Sequence, residues 1–383
     1  MVGYLFFLLT LCQPRVCFRR VPVTLLWFGA YMLIYCLFGI LINSYYPSLV
    51  RERLFTLIQM LVLFWASYNL LRDPKMVAFS IGALAAACAV LATLQLTGAT
   101  SVTYRGMIEG RTSAFNENPN VIGSLFSLGL ISLVGLVYGR FRTTSRLRHA
   151  IWGMLPVLAL ALVRTGARAA LVGLATGLFV FVLARGSVQI KIRNAIVVLL
   201  ALGVLLATLL TSRMSVERWK MAFEQKSMAG REEIFPEAWK MFLEKPLIGW
   251  GPINHYYELG WRMESETKDT HNLVLWVLTE VGLLGSFPFF AGIYLCLRSA
   301  WRARNGPHGV LPLALTMTLL VVNLSGTGMT RKVFWIVLAY ASASGVQVLS
   351  RNIRRPATSR ISAGCRPSDA PGLNSLSSYA PSR

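Results

Sequence analysis

Three basic stretches carry residue types that could do chemistry. Arg164 and Arg168 bracket the hinge Arg164-Thr165-Gly166-Ala167-Arg168 between two apolar runs. Guanidiniums there either snorkel to lipid headgroups or line a polar pocket, because an unpaired charge below the headgroups costs about 3 kcal/mol. Arg231, in Gly230-Arg231-Glu232-Glu233, opens a stretch of helical spacing, where a cation opposes the helix dipole that the two glutamates suit. It either pairs with those glutamates in solvent or is kept for an anion. His271 stands in Asp269-Thr270-His271-Asn272, where a long apolar run begins. With Thr270 or Asp269 as cap, the first-turn N–H groups favour an anion and disfavour a protonated imidazole. A neutral histidine beside an anion is a candidate general base, and the alternative is a headgroup anchor, the role open also to His149, His255 and His308.

Absences narrow the reaction. Aspartate occurs only at positions 73, 269 and 369, so no Asp-x-Asp pair can hold a metal on a nucleotide diphosphate, and no Gly-Lys pair exists for a Walker-type phosphate loop. The six cysteines, at 12, 17, 36, 88, 296 and 365, form no Cys-x-x-Cys pair and read as free thiols. Neither metal nor cofactor is expected. Group transfer on these terms needs a donor that arrives activated, and a diphosphate-linked lipid suits arginines standing in for metal. Glu280 follows His271 by nine residues, about 180° round a helix and roughly 13 Å along it, so it is expected to bond a neighbouring helix instead of substrate.

The positioning elements are membrane helices. Of 383 residues, 55% are hydrophobic and 14% charged, too few charges to cover a water-facing surface. Apolar segments fall at about 1 to 12, 21 to 42, 54 to 71, 76 to 97, 120 to 138, 150 to 163, 168 to 185, 194 to 211, 271 to 297, 309 to 323 and 332 to 349. The fold class predicted is all-α, a polytopic transmembrane bundle of about eleven segments, the first one truncated and not a signal peptide. Along the alternating loops, one side collects 15 Lys and Arg in five short loops and the other 8 in four, Arg51, Arg53, Arg105, Arg111, Arg164, Arg168, Arg331 and Lys332. The richer side is expected to be cytoplasmic.

Four units are expected: residues 1–211 with eight segments, a long outer loop 212–270, segments 271–349, and a disordered basic cytoplasmic tail 350–383 near anionic lipid. The loop holds ten of the sixteen acids and nine bases, near neutral in a chain of net charge +22. Within it Ile234, Phe235, Ala238, Trp239, Phe242 and Leu243 recur at helical spacing until Pro246 and Gly249, which predicts an amphipathic helix against the bundle or membrane surface. Trp250, Tyr256, Tyr257 and Trp261 either stack on sugars or sit at the interface. Nothing predicts nucleic-acid binding.

Four stretches resemble the O-antigen ligase and O-antigen polymerase superfamily of lipid-linked glycan transferases: Ala114-Phe115-Asn116-Glu117-Asn118-Pro119-Asn120; Thr165-Gly166-Ala167-Arg168-Ala169; Gly230-Arg231 with Lys245-Pro246-Leu247-Ile248-Gly249-Trp250-Gly251-Pro252-Ile253-Asn254; and His271-Asn272 with Glu280-Val281-Gly282-Leu283-Leu284-Gly285. The family's usual Ser before and Gly after the first arginine are Ala167 and Ala169 here. The resemblance implies a GT-C-like bundle in the bacterial inner membrane that moves a glycan from undecaprenyl diphosphate to a sugar hydroxyl on the periplasmic face, inverting and without metal. It implies that Arg168 and Arg231 hold the diphosphate and His271 takes the acceptor proton, and that Arg111, Asn118, Asn120, Arg164, Tyr256, Trp261 and Asn272 contact substrate. The acceptor is the lipid A core in a ligase or a second lipid-linked glycan in a polymerase. A lipid-linked oligosaccharide transporter is the reading of another class, and it would favour an inverted repeat or a relay of membrane acids, neither of which the chain carries.

Overall fold

A computed structural model of the chain describes residues 2–42, 46–103, 111–138, 145–182, 188–224 and 230–353. The expected basic tail beyond residue 353, and the loop arginines Arg105, Arg140, Arg142 and Arg185, lie outside the described residues. The helices are α1 (Val2–Cys12), α2 (Pro14–Cys17), α3 (Val23–Leu41), α4 (Pro47–Leu70), α5 (Pro74–Leu96), α6 (Pro119–Tyr138), α7 (Ser145–Thr165), α8 (Arg168–Val182), α9 (Val188–Thr211), α10 (Arg213–Glu224), α11 (Arg231–Glu244), α12 (Asn254–Arg262), α13 (Leu273–Ala303), α14 (Leu311–Asn323) and α15 (Lys332–Ile353). Each apolar stretch falls on a helix. Five of the described helices, within α3, α5, α6, α9 and α13, are long and apolar enough to cross a bilayer. The protein is an all-α, multi-pass membrane bundle.

Proline sets several helix starts, because its fixed φ suits the first turn and its missing N–H is one of the groups a helix leaves unbonded anyway. Pro47 does this for α4, which therefore begins seven residues ahead of the apolar run expected from 54. Arg51 and Arg53, read as loop residues, thus lie in the first two turns of α4. An addition to the all-α reading is a two-stranded antiparallel ribbon, β1 (Ser101–Thr103) with β2 (Thr112–Ala114), which ties α5 to α6. Gln95 of α5 holds it by donating to Thr112 Oγ1 at 2.9 Å.

The bundle core is aromatic where α3, α4, α13 and α15 meet. Phe28, Phe64, Phe289 and Trp335 are buried there, and Phe28 packs edge-on against Phe64 and Trp335 at 5.3 and 5.1 Å between ring centroids. Small residues bring α8 against α14, with Gly173 and Gly177 facing Thr318 and Val322. This packing gathers Arg111, Arg168, Arg331 and Lys332, placed on one side by the loop alternation, at the same end of the bundle as the long loop.

Among the described residues the loop contains three helices, where one was expected. Residues Ile234, Ala238 and Met241 of α11 and Leu259 of α12 form a small buried core of their own. α11 ends at Glu244, just before the predicted stop at Pro246, and leaves Trp239 and Leu243 about half exposed.

Candidate functional site

The first wall of the site is the turn into α6. Phe115 and Asn116 both adopt left-handed φ, 54° and 58°, which reverses the chain after β2. Asn118 then accepts the N–H of Asn120 at 2.9 Å, ahead of Pro119 in the first turn of α6. Asn120 Oδ1 accepts Arg111 Nη2 at 3.0 Å, and Arg111 Nε donates to the carbonyl of Thr165 at 3.0 Å. Arg111 thereby fastens the α6 turn to the α7–α8 hinge. Arg164 is exposed at the end of α7, and its carbonyl accepts the hydroxyl of Thr112.

Arginines from three elements converge beyond that hinge. Arg168, at the start of α8, donates from Nη1 to the carbonyl of Arg218 on α10 at 2.9 Å. Arg231, at the start of α11, donates from Nη2 to the carbonyl of Ser325 at 3.0 Å. Burial first, and then the charge of Arg168, hold the Arg231 guanidinium below its ordinary basicity, against the opposing pull of Glu232 and Asp269. Within this group Arg231 does oppose the helix dipole, and its side chain leaves the axis for Ser325.

His271 lies beside them in a left-handed turn, φ 50°. Its N–H is taken by Asp269 Oδ1 at 2.8 Å, and Thr327 donates to the other oxygen of Asp269 at 2.7 Å. The cap of α13 is Asn272, not Thr270 or Asp269, because Asn272 Oδ1 accepts the N–H groups of Val274 and Leu275 at 2.9 and 3.2 Å. The cap therefore occupies first-turn donors that the sequence reading left for an anion. Asn272 also donates to the carbonyl of Leu324 at 3.1 Å. Burial above all lowers the basicity of His271, opposed by Asp269 and assisted by Arg231 and Lys268.

A crevice of about 470 Å³ opens among these elements. Asn118, Asn120, Ala169, Asp269 and His271 line it, and its far wall is the turn from Asn323 to Phe334. Arg168 and Arg231 are not among its lining residues: the first precedes the lining residue Ala169 in α8, and the second donates to the carbonyl of the lining residue Ser325. That far wall was not read from the sequence, although Ser325-Gly326-Thr327-Gly328 between two apolar helices is a polar loop signal.

A second polar group lies behind this crevice, around a break in α13. Gly282 takes φ 58°, ψ −163° and interrupts the helix. The freed backbone groups are bonded by the loop. Trp250 and Gly251 donate to the carbonyls of Thr279 and Glu280 at 2.8 and 2.9 Å, and Leu283 and Leu284 donate to those of Pro246 and Leu247 at 2.8 and 3.0 Å. Such irregular backbone is tolerated at membrane depth only where protein satisfies it. The approach requires glycine twice: a Cβ on Gly282 would stand 2.4 Å from Leu247 backbone, and one on Gly249 2.7 Å from Glu280.

Glu280 is fully buried at this seam. As expected it bonds a neighbouring helix, accepting Tyr35 Oη–H of α3 at 3.1 Å, and Ile253 N–H approaches the same oxygen at 3.5 Å. Its rotation relative to His271 follows no helix geometry, since α13 begins at Leu273. His255, considered a headgroup anchor, is instead fully buried with Nδ1 3.8 Å from Glu280. Arg53 lies over the rings of Tyr256 and Trp276 at 5.8 and 5.6 Å and bonds the Tyr256 hydroxyl. Tyr256 and Tyr257 line a second crevice with Arg53 and Thr330, and Thr330 also borders the first. Trp250 serves the loop core, donating to the carbonyl of Met241 at 2.9 Å beneath Lys245. Trp261 is about half exposed on α12.

Residues 153–290 match the family model described as O-antigen ligase. The match spans the α7–α8 hinge, the whole loop and α13 through its break. No curated protein matches the chain.

Proposed function

We propose, from the match of residues 153–290 to the family model described as O-antigen ligase, that the chain is a glycosyltransferase that moves a preassembled glycan from undecaprenyl diphosphate to a sugar hydroxyl of the lipid A core, at the periplasmic face of the inner membrane. The observation that carries the reading is the gathering of Arg168, Arg231 and His271 from three separate stretches of chain, with His271 lining the crevice and Arg231 bonded to the carbonyl of its lining residue Ser325. Arg168 and Arg231 grip phosphate oxygens through their planar forks and stabilise the leaving diphosphate as charge develops on it. His271 accepts the proton of the acceptor hydroxyl, whose oxygen attacks the anomeric carbon from the face opposite the diphosphate and inverts it. Asp269 fixes the backbone of His271 and so its place in the crevice. Asn118, as the cap of α6, and Asn272, as the cap of α13, hold the two walls, while Arg111 and Asn120 join the hinge to the first. Tyr256, Tyr257 and Trp261 offer rings to the sugars, and Arg164 faces the headgroups.

The test supplies purified protein with a lipid-linked glycan, with and without lipid A core. Glycan appearing on lipid A core supports the ligase, elongation of the lipid-linked glycan alone makes the chain a polymerase, and no transfer with either acceptor ends the transferase reading.

A further inference from the structure

Arg218 is a charged group that this chemistry leaves unused. It lies on α10 one turn beyond Ser215, and both are buried, Arg218 to 8% exposure. Its carbonyl anchors Arg168 at 2.9 Å, while its own Nε has no hydrogen-bond partner, and the Nε of Arg231 has none either. Among the described residues, the charges that reach Arg218 are Arg111, Arg168 and Arg231, all positive. Burial, followed by these three, pushes its guanidinium down to about 10. Glu232 acts on both Arg168 and Arg231, and Asp269 acts on Arg231. A buried guanidinium among like charges, with an orphaned donor, is prepared for an anion.

We propose that Arg218 is a third phosphate ligand, closing the clamp of Arg168 and Arg231 on a diphosphate diester, with Arg111 adding to its field. This rests on the transfer reading. In transfer, the bond from the anomeric carbon to the phosphate oxygen breaks and its electron pair stays on that oxygen. The acceptor oxygen bonds the anomeric carbon and its proton passes to His271. The diphosphate thus leaves with one more negative charge than it brought, and a further guanidinium stabilises it.

The test measures binding to the purified full-length protein and its Arg218→Gln and Arg218→Lys variants, with undecaprenyl diphosphate, undecaprenyl monophosphate and inorganic diphosphate as probes. Arg218→Gln is expected to weaken undecaprenyl diphosphate about thirtyfold and the monophosphate no more than about threefold, with Arg218→Lys between parent and Gln. Without ligand, Arg218→Gln is expected to unfold at a temperature equal to or above the parent's, since a repelled charge is gone. Diphosphate binding by Arg218→Gln within threefold of the parent overturns the proposal. So does an equal loss for all probes with a lowered unfolding temperature, which marks a structural arginine. Dependence on Arg218 for inorganic diphosphate but not for the lipid overturns the lipid assignment. A parent protein that binds none of the three breaks the transfer reading itself.

Discussion

Two polar islands sit at the same end of the bundle and are built on opposite terms. Around Glu280 opposite charges meet: Arg53 acts on the carboxylate, Tyr35 donates to one of its oxygens, and the loop backbone closes the break in α13, while Glu280 Oε2 and His255 Nε2 have no hydrogen-bond partner. Around Arg231 four arginines crowd against Glu232 and Asp269, and the Nε groups of Arg218 and Arg231 have no hydrogen-bond partner. A carboxylate among a cation and a hydroxyl holds the fold, and crowded like charges suit an anionic ligand. Strain is shared by both groups. Four of the five described non-glycine residues with left-handed φ, Phe115, Asn116, Ile253 and His271, fall at the crevice or at the seam behind it.

The contrast can be broken by substitution. The largest effect is expected at the seam: Gly282→Val puts a side chain into Leu247 backbone and costs on the order of 4 kcal/mol or more, read as loss of the cooperative unfolding transition in detergent. Next come Arg168→Ala and Arg231→Ala, each lowering transfer about a thousandfold with membrane insertion unchanged, and lysine restoring only part. Transfer near the parental rate in both would make the arginine island structural too. At Glu280 the order reverses. Glu280→Gln keeps an acceptor for Tyr35 and is expected to leave transfer within about threefold, whereas Glu280→Ala strands that hydroxyl and costs about 1 to 3 kcal/mol in stability. The smallest effect is a pH shift. Transfer needs neutral His271, whose basicity lies below the ordinary 6.5, so the rate is level above about pH 7 and falls on acidification. Lys268→Ala removes a cation that lowers His271, so its acid limb should move to higher pH; a limb that stays put or moves down would separate His271 from the rate.

Much of this plan was legible in one dimension. The spacing of Ile234, Ala238 and Phe242 predicts α11, the Thr165-Gly166 hinge places Arg168 at a helix start, and the interrupted apolar run isolates His271. Other parts had no side-chain signature. The seam is made of backbone hydrogen bonds, and only Gly249 and Gly282 mark it. Arg218 escaped because its neighbour one turn back, Ser215, is polar, so the buried stripe of α10 does not read as apolar. The cap of α13 was misassigned because Asp269, Thr270 and Asn272 can all cap, and the left-handed turn at His271 decides among them. Arg53 was taken for a loop residue because proline, not hydrophobicity, starts α4.

The seam also orders assembly. Residues 246–251 leave the ribosome before 279–284, so the strip that closes the gap is already made when α13 enters lipid. Until it docks, the carbonyls of Thr279 and Glu280 and the amides of Leu283 and Leu284 have no mates in hydrocarbon. The last three apolar helices of this protein therefore mature behind their own extramembrane loop, and an error in that loop is felt inside the bilayer.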